Sequence, residues 1–172
     1  MKLIILNGTA GVGKTTLAKK LYQELPLSFL VNMDRQRRFI SKYREHPKES
    51  NDLSFAVSIA IVEACLKAKH DVIVDKMMWN INNNLNRLES LGRENKATIY
   101  EFILEARKET VVKRVNKRGY KPGGLLTPEK VDRFWETTKN LKIERPDAIV
   151  IDTDQLNEDQ VFEKVKKIVL GK

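Results

Sequence analysis

One cysteine, Cys65, stands among 172 residues, which excludes an internal disulfide framework. It lies between Ala64 and Leu66 in an apolar helical pattern and reads as a core residue. No apolar stretch approaches the roughly 20 residues that a membrane-spanning helix needs. Met1-Lys2-Leu3 leads straight into a glycine-rich turn and leaves no room for a cleavable signal, so a soluble, cytoplasmic protein without membrane contact is expected. Neither His46 nor His70 has ligand-type partners at metal spacing. Internal repeats and low-complexity segments are absent. Aromatic residues are sparse at 7%, and Trp79 and Trp135 read as fillers of core edges, with Trp79 also close enough to a strand end to line an acceptor pocket.

What the chain does have is positive charge and alternation. The formal net charge of +9 favours anionic ligands by steering, without choosing among nucleotides, phosphorylated metabolites and nucleic acid. A hydrophobic content of 41% over this length supports one domain, residues 1–172. Apolar runs alternate with helical patterns from end to end, which argues for an α/β three-layer sandwich around a parallel sheet. Strands are expected at Lys2 to Asn7, Ser28 to Asp34, Asp71 to Asp75, Ala97 to Leu104 and Ala148 to Asp152. Helices are expected at Lys14 to Glu24, Arg35 to Tyr43, Asp52 to Lys69, Ile81 to Glu94, Lys108 to Lys117, Pro128 to Leu141 and Glu158 to Leu170. Thr127 before Pro128, and the Asn157-x-x-Gln160 arrangement, supply start signals for the last two helices.

The most specific feature is Gly8-Thr9-Ala10-Gly11-Val12-Gly13-Lys14-Thr15, a Walker A phosphate loop between an apolar strand and a good helix former. Gly8, Gly11 and Gly13 permit a tight cradle whose N–H groups point at phosphate oxygens. The N-terminus of the following helix faces the same anion. Lys14 is placed to reach the β/γ-phosphates and the Thr15 hydroxyl to hold Mg²⁺. Asp75, closing the strand Asp71-Val72-Ile73-Val74, is a second Mg²⁺ candidate.

Asp34 is expected to end the second strand, with Arg37 three residues on. One carboxylate would accept a proton from an attacking hydroxyl, and one guanidinium would clamp the acceptor's anionic group. Arg35, Gln36, Arg37 and Arg38 crowd together, so a capped, exposed basic helix competes with this reading. Arg114 and Arg118 share a helix face and precede Gly119-Tyr120-Lys121-Pro122-Gly123-Gly124, which cannot extend the helix. Seven of the fifteen residues from Arg107 to Lys121 are lysine or arginine. The segment at about 107–126 is therefore a candidate lid with internal arginine fingers.

These residues together resemble the P-loop kinase superfamily, which includes gluconate, adenylate and shikimate kinases, chloramphenicol phosphotransferase, zeta-toxin-type kinases and 5′-hydroxyl polynucleotide kinases. The resemblance spans essentially the whole chain: the Walker A loop, Asp34-x-x-Arg37, the strand with terminal Asp75, the helix with Arg114 and Arg118, and a last strand ending Asp152-Thr153-Asp154. It implies a five-stranded parallel sheet of order 2-3-1-4-5, ATP and Mg²⁺ as cofactors, and lid arginines that close over the nucleotide. It also puts the segment after Ile151 near the adenine. The nucleotide contacts so implied are the loop residues Gly8, Gly11, Val12, Gly13, Lys14, Thr15 and Thr16, and beyond the loop Arg114, Asp152 and Thr153.

After Asp75 the chain reads Lys76-Met77-Met78-Trp79, lacking the Gly-Phe-Pro-Arg stretch of adenylate kinases and the glycine-rich acceptor loop of shikimate kinases. Met77 stands where the zeta-toxin and polynucleotide-kinase group often has a small polar residue. The expectation is a kinase that transfers the γ-phosphate of ATP to a hydroxyl of a small-molecule acceptor, as a monomer or homodimer. Two alternatives stand beside it. One is a polynucleotide 5′-hydroxyl kinase or nucleic-acid-binding ATPase, with Lys76, Arg87, Arg107, Lys113 and Lys117 on phosphates but few interleaved aromatics. The other is a regulatory NTPase, disfavoured as a GTPase by the absence of an Asn-Lys-x-Asp stretch.

Overall fold

The structure is a computed structural model that describes residues 1–77, 84–120 and 126–171. Five strands form one sheet in the order β2-β3-β1-β4-β5, every adjacent pair parallel. They are β1 (Lys2–Asn7), β2 (Phe29–Asn32), β3 (Val72–Asp75), β4 (Thr98–Glu105) and β5 (Ile149–Asp152). The helices are α1 (Lys14–Glu24), α2 (Met33–Gln36), α3 (Pro47–Lys67), α4 (Asn84–Glu94), α5 (Lys108–Arg118), α6 (Pro128–Glu144) and α7 (Glu158–Leu170), with a 3-10 turn at Arg37–Phe39.

The central strand explains the layering. Leu3, Ile4, Ile5 and Leu6 are all buried, an unbroken apolar run that only a sheet covered on both faces accommodates. Ile4 and Leu6 join Leu17 and Leu21 of α1, Val111 and Val115 of α5 and Val161, Val165 and Val169 of α7. Leu3 and Ile5 join Ile59, Val62 and Leu66 of α3 and Leu85, Leu88 and Leu91 of α4. Helix α6 contributes to both clusters, Val131 to the first and Leu141 to the second. No helix among the described residues is long and apolar enough to cross a membrane.

Several expected boundaries need correction. The second strand ends at Asn32, and Asp34 lies in the first turn of α2. A strand running to Asp34 fails because the Asn32 side chain accepts the Arg35 N–H at 2.9 Å, a cap that turns the chain into a helix. The helix expected from Arg35 to Tyr43 is only α2 and the 3-10 turn. Helix α3 begins at Pro47, earlier than the expected Asp52, with the proline pre-set for a first turn. Thr127 does precede α6 but makes no side-chain cap bond, whereas Asn157 and Gln160 form the full capping box of α7. Trp79, Lys121 to Gly124 and the start of the helix expected at Ile81 lie outside the described residues.

Candidate functional site

Strand β1 delivers the chain into the phosphate loop under tight packing. A Cβ on Gly8, whose φ is +130°, would stand 2.2 Å from the Leu104 carbonyl oxygen, so only glycine fits. The buried Asn7 side chain accepts the Gly8 N–H at 2.8 Å. At the far end Gly13, with φ +93°, precedes α1, and no side chain caps the helix. Nothing lies within 4 Å of a Cβ built on Gly13. The N–H groups of the first turn of α1 are thus presented to an open cradle. Lys14 folds over the loop and donates from Nζ to the Thr9 carbonyl at 2.7 Å.

The acidic strand end lies beside this cradle. Parallel register sets Asp75 opposite Leu6 on one side and Asn32 on the other. Its Oδ2 accepts from Thr15 Oγ1 at 2.7 Å and from Asn32 Nδ2 at 2.7 Å. Asn32 therefore ties the β3 carboxylate to the start of α2, which carries Asp34. Asp34 Oδ1 in turn accepts from Lys76 Nζ at 2.6 Å, and Lys76 is the residue after Asp75. The result is a closed ring of contacts, Asp75 to Asn32 to α2 to Asp34 to Lys76. Asn32 and Lys76 were not singled out for these parts by sequence. A cap signal, asparagine ahead of Met33-Asp34, was available for the first, whereas the second is a contact across 42 positions.

The two carboxylates and the loop lysine lie close enough to shift one another's titration. Burial pulls the Lys14 ammonium below its ordinary pKa; Asp75 and Asp34 oppose this, while Arg118 and Lys76 reinforce it. Asp75 is raised, first by burial and further by Asp34, against the pull of Lys14 and the Thr15 bond. For Asp34 burial pushes upward, but Lys76, followed by Lys14 and Arg37, outweighs it and holds the carboxyl below the usual carboxylate range. The Asp34 side chain is 69% exposed, so water reaches it from the open side of the cleft and screens the effect.

Arg37 is placed differently from Asp34. It is buried, donates from Nε to Ser50 Oγ at 2.9 Å and from Nη2 to the Pro47 carbonyl, and lies over the Tyr43 ring at 5.9 Å. Most of its guanidinium is spent tying the 3-10 turn to the start of α3. Lys76, expected on nucleic-acid phosphates, is engaged with Asp34 instead.

On the other side of the loop, α5 packs close enough that a Cβ on Gly11 would sit 3.0 Å from Val115 Cγ2. Arg114 Nη1 donates to Thr153 Oγ1 at 3.0 Å and Nη2 to the Thr153 carbonyl at 2.7 Å. Thr153 is itself fixed by donating to the Glu105 carbonyl from both N and Oγ1, each at 2.9 Å. Gly11, Val12, Gly13, Thr16, Arg114 and Thr153 line a cleft of about 240 Å³, closed by Leu156, Asn157, Glu158 and Val161 around the start of α7. Asp152 is not part of this lining and accepts the Asp154 N–H at 2.8 Å. Arg118, one turn beyond Arg114, is exposed and has no ion-pair partner among the described residues.

The donor set fits the expected ligands. The uncapped cradle suits a polyphosphate, and the adjacent hydroxyl and carboxylate oxygens of Thr15 and Asp75 suit Mg²⁺, which takes few protein ligands and shares the rest with phosphates and water. No group of three or more histidine, cysteine or acidic side chains suited to a metal occurs among the described residues.

A family model described as an AAA domain matches residues 3–141. No curated protein sequence matches at a significant level. Among solved structures, the Deinococcus radiodurans tunicamycin resistance protein is 23% identical, with a TM-score of 0.65 over 98% of this chain and 95% of that one. A sugar kinase from Janibacter sp. is 16% identical, with a TM-score of 0.73 over 98% and 94%. A chain of the Pnkp1/Rnl/Hen1 RNA repair complex is 24% identical, with a TM-score of 0.63 over 83% of this chain and 45% of that one.

Proposed function

The chain belongs to the AAA domain family and has the P-loop kinase fold, and from that premise we propose that it is an ATP- and Mg²⁺-dependent kinase that phosphorylates a hydroxyl. The observation that carries this reading is the ring of contacts just described. It sets Asp75 against Thr15 at 2.7 Å and holds Asp34, through its Oδ1 on Lys76, close to that pair. A second carboxylate, separate from the one beside Thr15, is what a hydroxyl nucleophile would need to orient it and take its proton.

Bound MgATP supplies the electrophilic γ-phosphoryl group and the metal charge that screens it. The loop N–H groups and the start of α1 hold the phosphates, with Thr15 and Asp75 as the protein's oxygens for the metal. Lys14, already beside both carboxylates, neutralises charge on the phosphates, and Arg118 adds an exposed cation from the end of α5. Arg114 and Thr153 form one wall of the base pocket. Asp34 Oδ2, which has no partner among the described residues, orients the acceptor hydroxyl and takes its proton. A carboxylate held at low pKa is a weak base, which suits a loose transition state in which the nucleophile's proton leaves late. Arg37 acts by holding the acceptor wall in place. The acceptor expected from sequence is a small molecule, which needs nothing beyond the cleft; the other hydroxyl that reaches such a cleft is the 5′ end of a polynucleotide.

The test is transfer of γ-³²P from ATP across a panel of metabolites, nucleosides, antibiotics and 5′-hydroxyl oligonucleotides. Metal-dependent labelling of an acceptor, lost in Lys14→Ala, supports the reading. Rapid acceptor-independent ATP hydrolysis that no member of the panel increases overturns it.

A further inference from the structure

Between Asp34 and the body of α3 the surface is strongly biased toward one charge. Six of the fourteen residues from Arg35 to Lys48 are lysine or arginine, and only Glu45 is acidic. Two of these cations are already matched, Lys42 with Glu45 at 3.9 Å and Lys48 with Asp52 at 3.0 Å. Arg35, Arg38 and Arg44 are exposed and have no carboxylate partner among the described residues. Within the same stretch Phe39 is 90% exposed, the most exposed of the large apolar side chains described. A single exposed ring needs no explanation by itself; here it follows Arg38 directly in a stretch whose exposed cations outnumber its one carboxylate.

This shelf is held in a defined shape. Arg37 is buried beneath it and bonded to Ser50 and Pro47; Ser50 Oγ in turn donates to the Tyr43 carbonyl at 2.9 Å. The Arg37 and Arg44 guanidiniums both lie over the Tyr43 ring, at 5.9 and 5.5 Å. Ser54 Oγ donates to the Met33 carbonyl at 2.9 Å, and Ser58 bonds Gln36, pinning α2 onto α3. The shelf is also continuous with Asp34, since Arg35 is the next residue of the same short helix.

We propose that this shelf binds a single-stranded nucleic acid, with phosphates on Arg35, Arg38 and Arg44 and a base stacked on Phe39, so that the strand's 5′-hydroxyl end lies toward Asp34. Repeated anions separated by flat rings match cations interleaved with an aromatic, and stacking on an exposed ring is tolerant of sequence. An anionic membrane would also attract the cations, but insertion needs a broad apolar face, and here one ring projects. The direction of the strand rests on the kinase reading; the binding surface does not.

The experiment is fluorescence anisotropy with a 3′-labelled, 5′-hydroxyl 12-mer, without nucleotide or metal, across a salt series. Three phosphate contacts give a slope of log K against log salt of about −2, at ~0.7 per contact for single strands. The double substitution Arg35→Gln/Arg38→Gln flattens the slope by about 1.4, and Phe39→Ala weakens binding about tenfold. Thermal melting and ATP-induced stabilisation are expected to stay at wild-type values in these variants, which separates a lost surface from a lost fold. The proposal is overturned by an unchanged slope in the double variant, by equal affinity for a nucleoside monophosphate and the 12-mer, or by phosphatidylserine vesicles binding as well as the strand with the same dependence on Phe39. Binding as described with no transfer of phosphate to the 5′ end of the 12-mer supports the surface and overturns the kinase direction. Transfer to a small hydroxyl compound with no strand binding overturns the surface and leaves the kinase reading standing.

Discussion

The two sides of the proposed site, the nucleotide wall and the acceptor wall, are built by opposite means. On the side proposed for the nucleotide the backbone sets the geometry: Gly8 wedged against Leu104, an uncapped α1 and the Asp75 strand end fixed by register. On the side proposed for the acceptor there is hardly any regular structure, only a four-residue helix, a 3-10 turn and side chains that tie one another down. A wall made of backbone is tolerant of what its side chains become and intolerant of changed geometry. A wall made of side chains can change its ligand by substitution while the fold stays.

The sharpest way to break this contrast is Lys14→Ala, which removes the cation of a wall whose geometry is set mainly by backbone. Turnover is expected to fall by about 10³, because a cation facing developing charge in a dry site is lost; single-turnover phosphate transfer checks it. Next comes Asp34→Asn, expected to lower kcat by about 10² while ATP affinity, read by calorimetry, stays within twofold. A comparable loss of nucleotide binding in that variant would mean that the two walls are not separable. Arg37→Met attacks the acceptor wall from below: leaving Ser50 and Pro47 without their buried donor costs about 2 kcal/mol of stability, seen in urea unfolding, and raises KM for the acceptor more than KM for ATP.

The pH dependence separates the walls again. Asp34 is held below its ordinary pKa by Lys76, Lys14 and Arg37 against its burial, so it stays ionised into acid. Its contribution to stability is present above the unfolded-state value and is lost as pH falls through the lowered folded one. Asp75, raised by burial, sets the opposite tendency, so the Asp34 part of the acid limb is read as the part that Lys76→Met moves upward in a kcat profile. The smallest expected effect is at the rim of the base pocket. Asn157→Ala removes half of the α7 capping box and costs about 1 kcal/mol, measured by thermal unfolding.

How much of this was legible in the residues follows the same division. Strand β1, helix α1 and helix α7 have the bounds that pattern and caps predicted, Lys2–Asn7, Lys14–Glu24 and Glu158–Leu170, because glycine chemistry and a capping box are local signals. The Thr15 and Asp75 pairing was legible for a related reason: strand ends in a parallel sheet converge on the loop after the central strand. The acceptor wall was not. Val31-Asn32-Met33 reads as continuing strand, and only the Asn32 bond to the Arg35 N–H shows that the chain has already turned. Arg37 looked like a ligand clamp from its spacing to Asp34, yet its partners at Pro47 and Ser50 make it a tie, and nothing in the local pattern distinguishes the two. The contact of Lys76 with Asp34 depends on which strands are neighbours, which no window of sequence contains.

Helix α6 has a consequence for how the molecule opens. Val131 belongs to the apolar cluster that α1, α5 and α7 share, and Leu141, ten positions and about 15 Å further along the axis, belongs to the cluster that α3 and α4 share. A rod anchored at both ends cannot be withdrawn from one layer without loosening the other. Amide exchange in the innermost strands should therefore report one shared opening free energy for the two layers, and chemical unfolding should proceed in a single step.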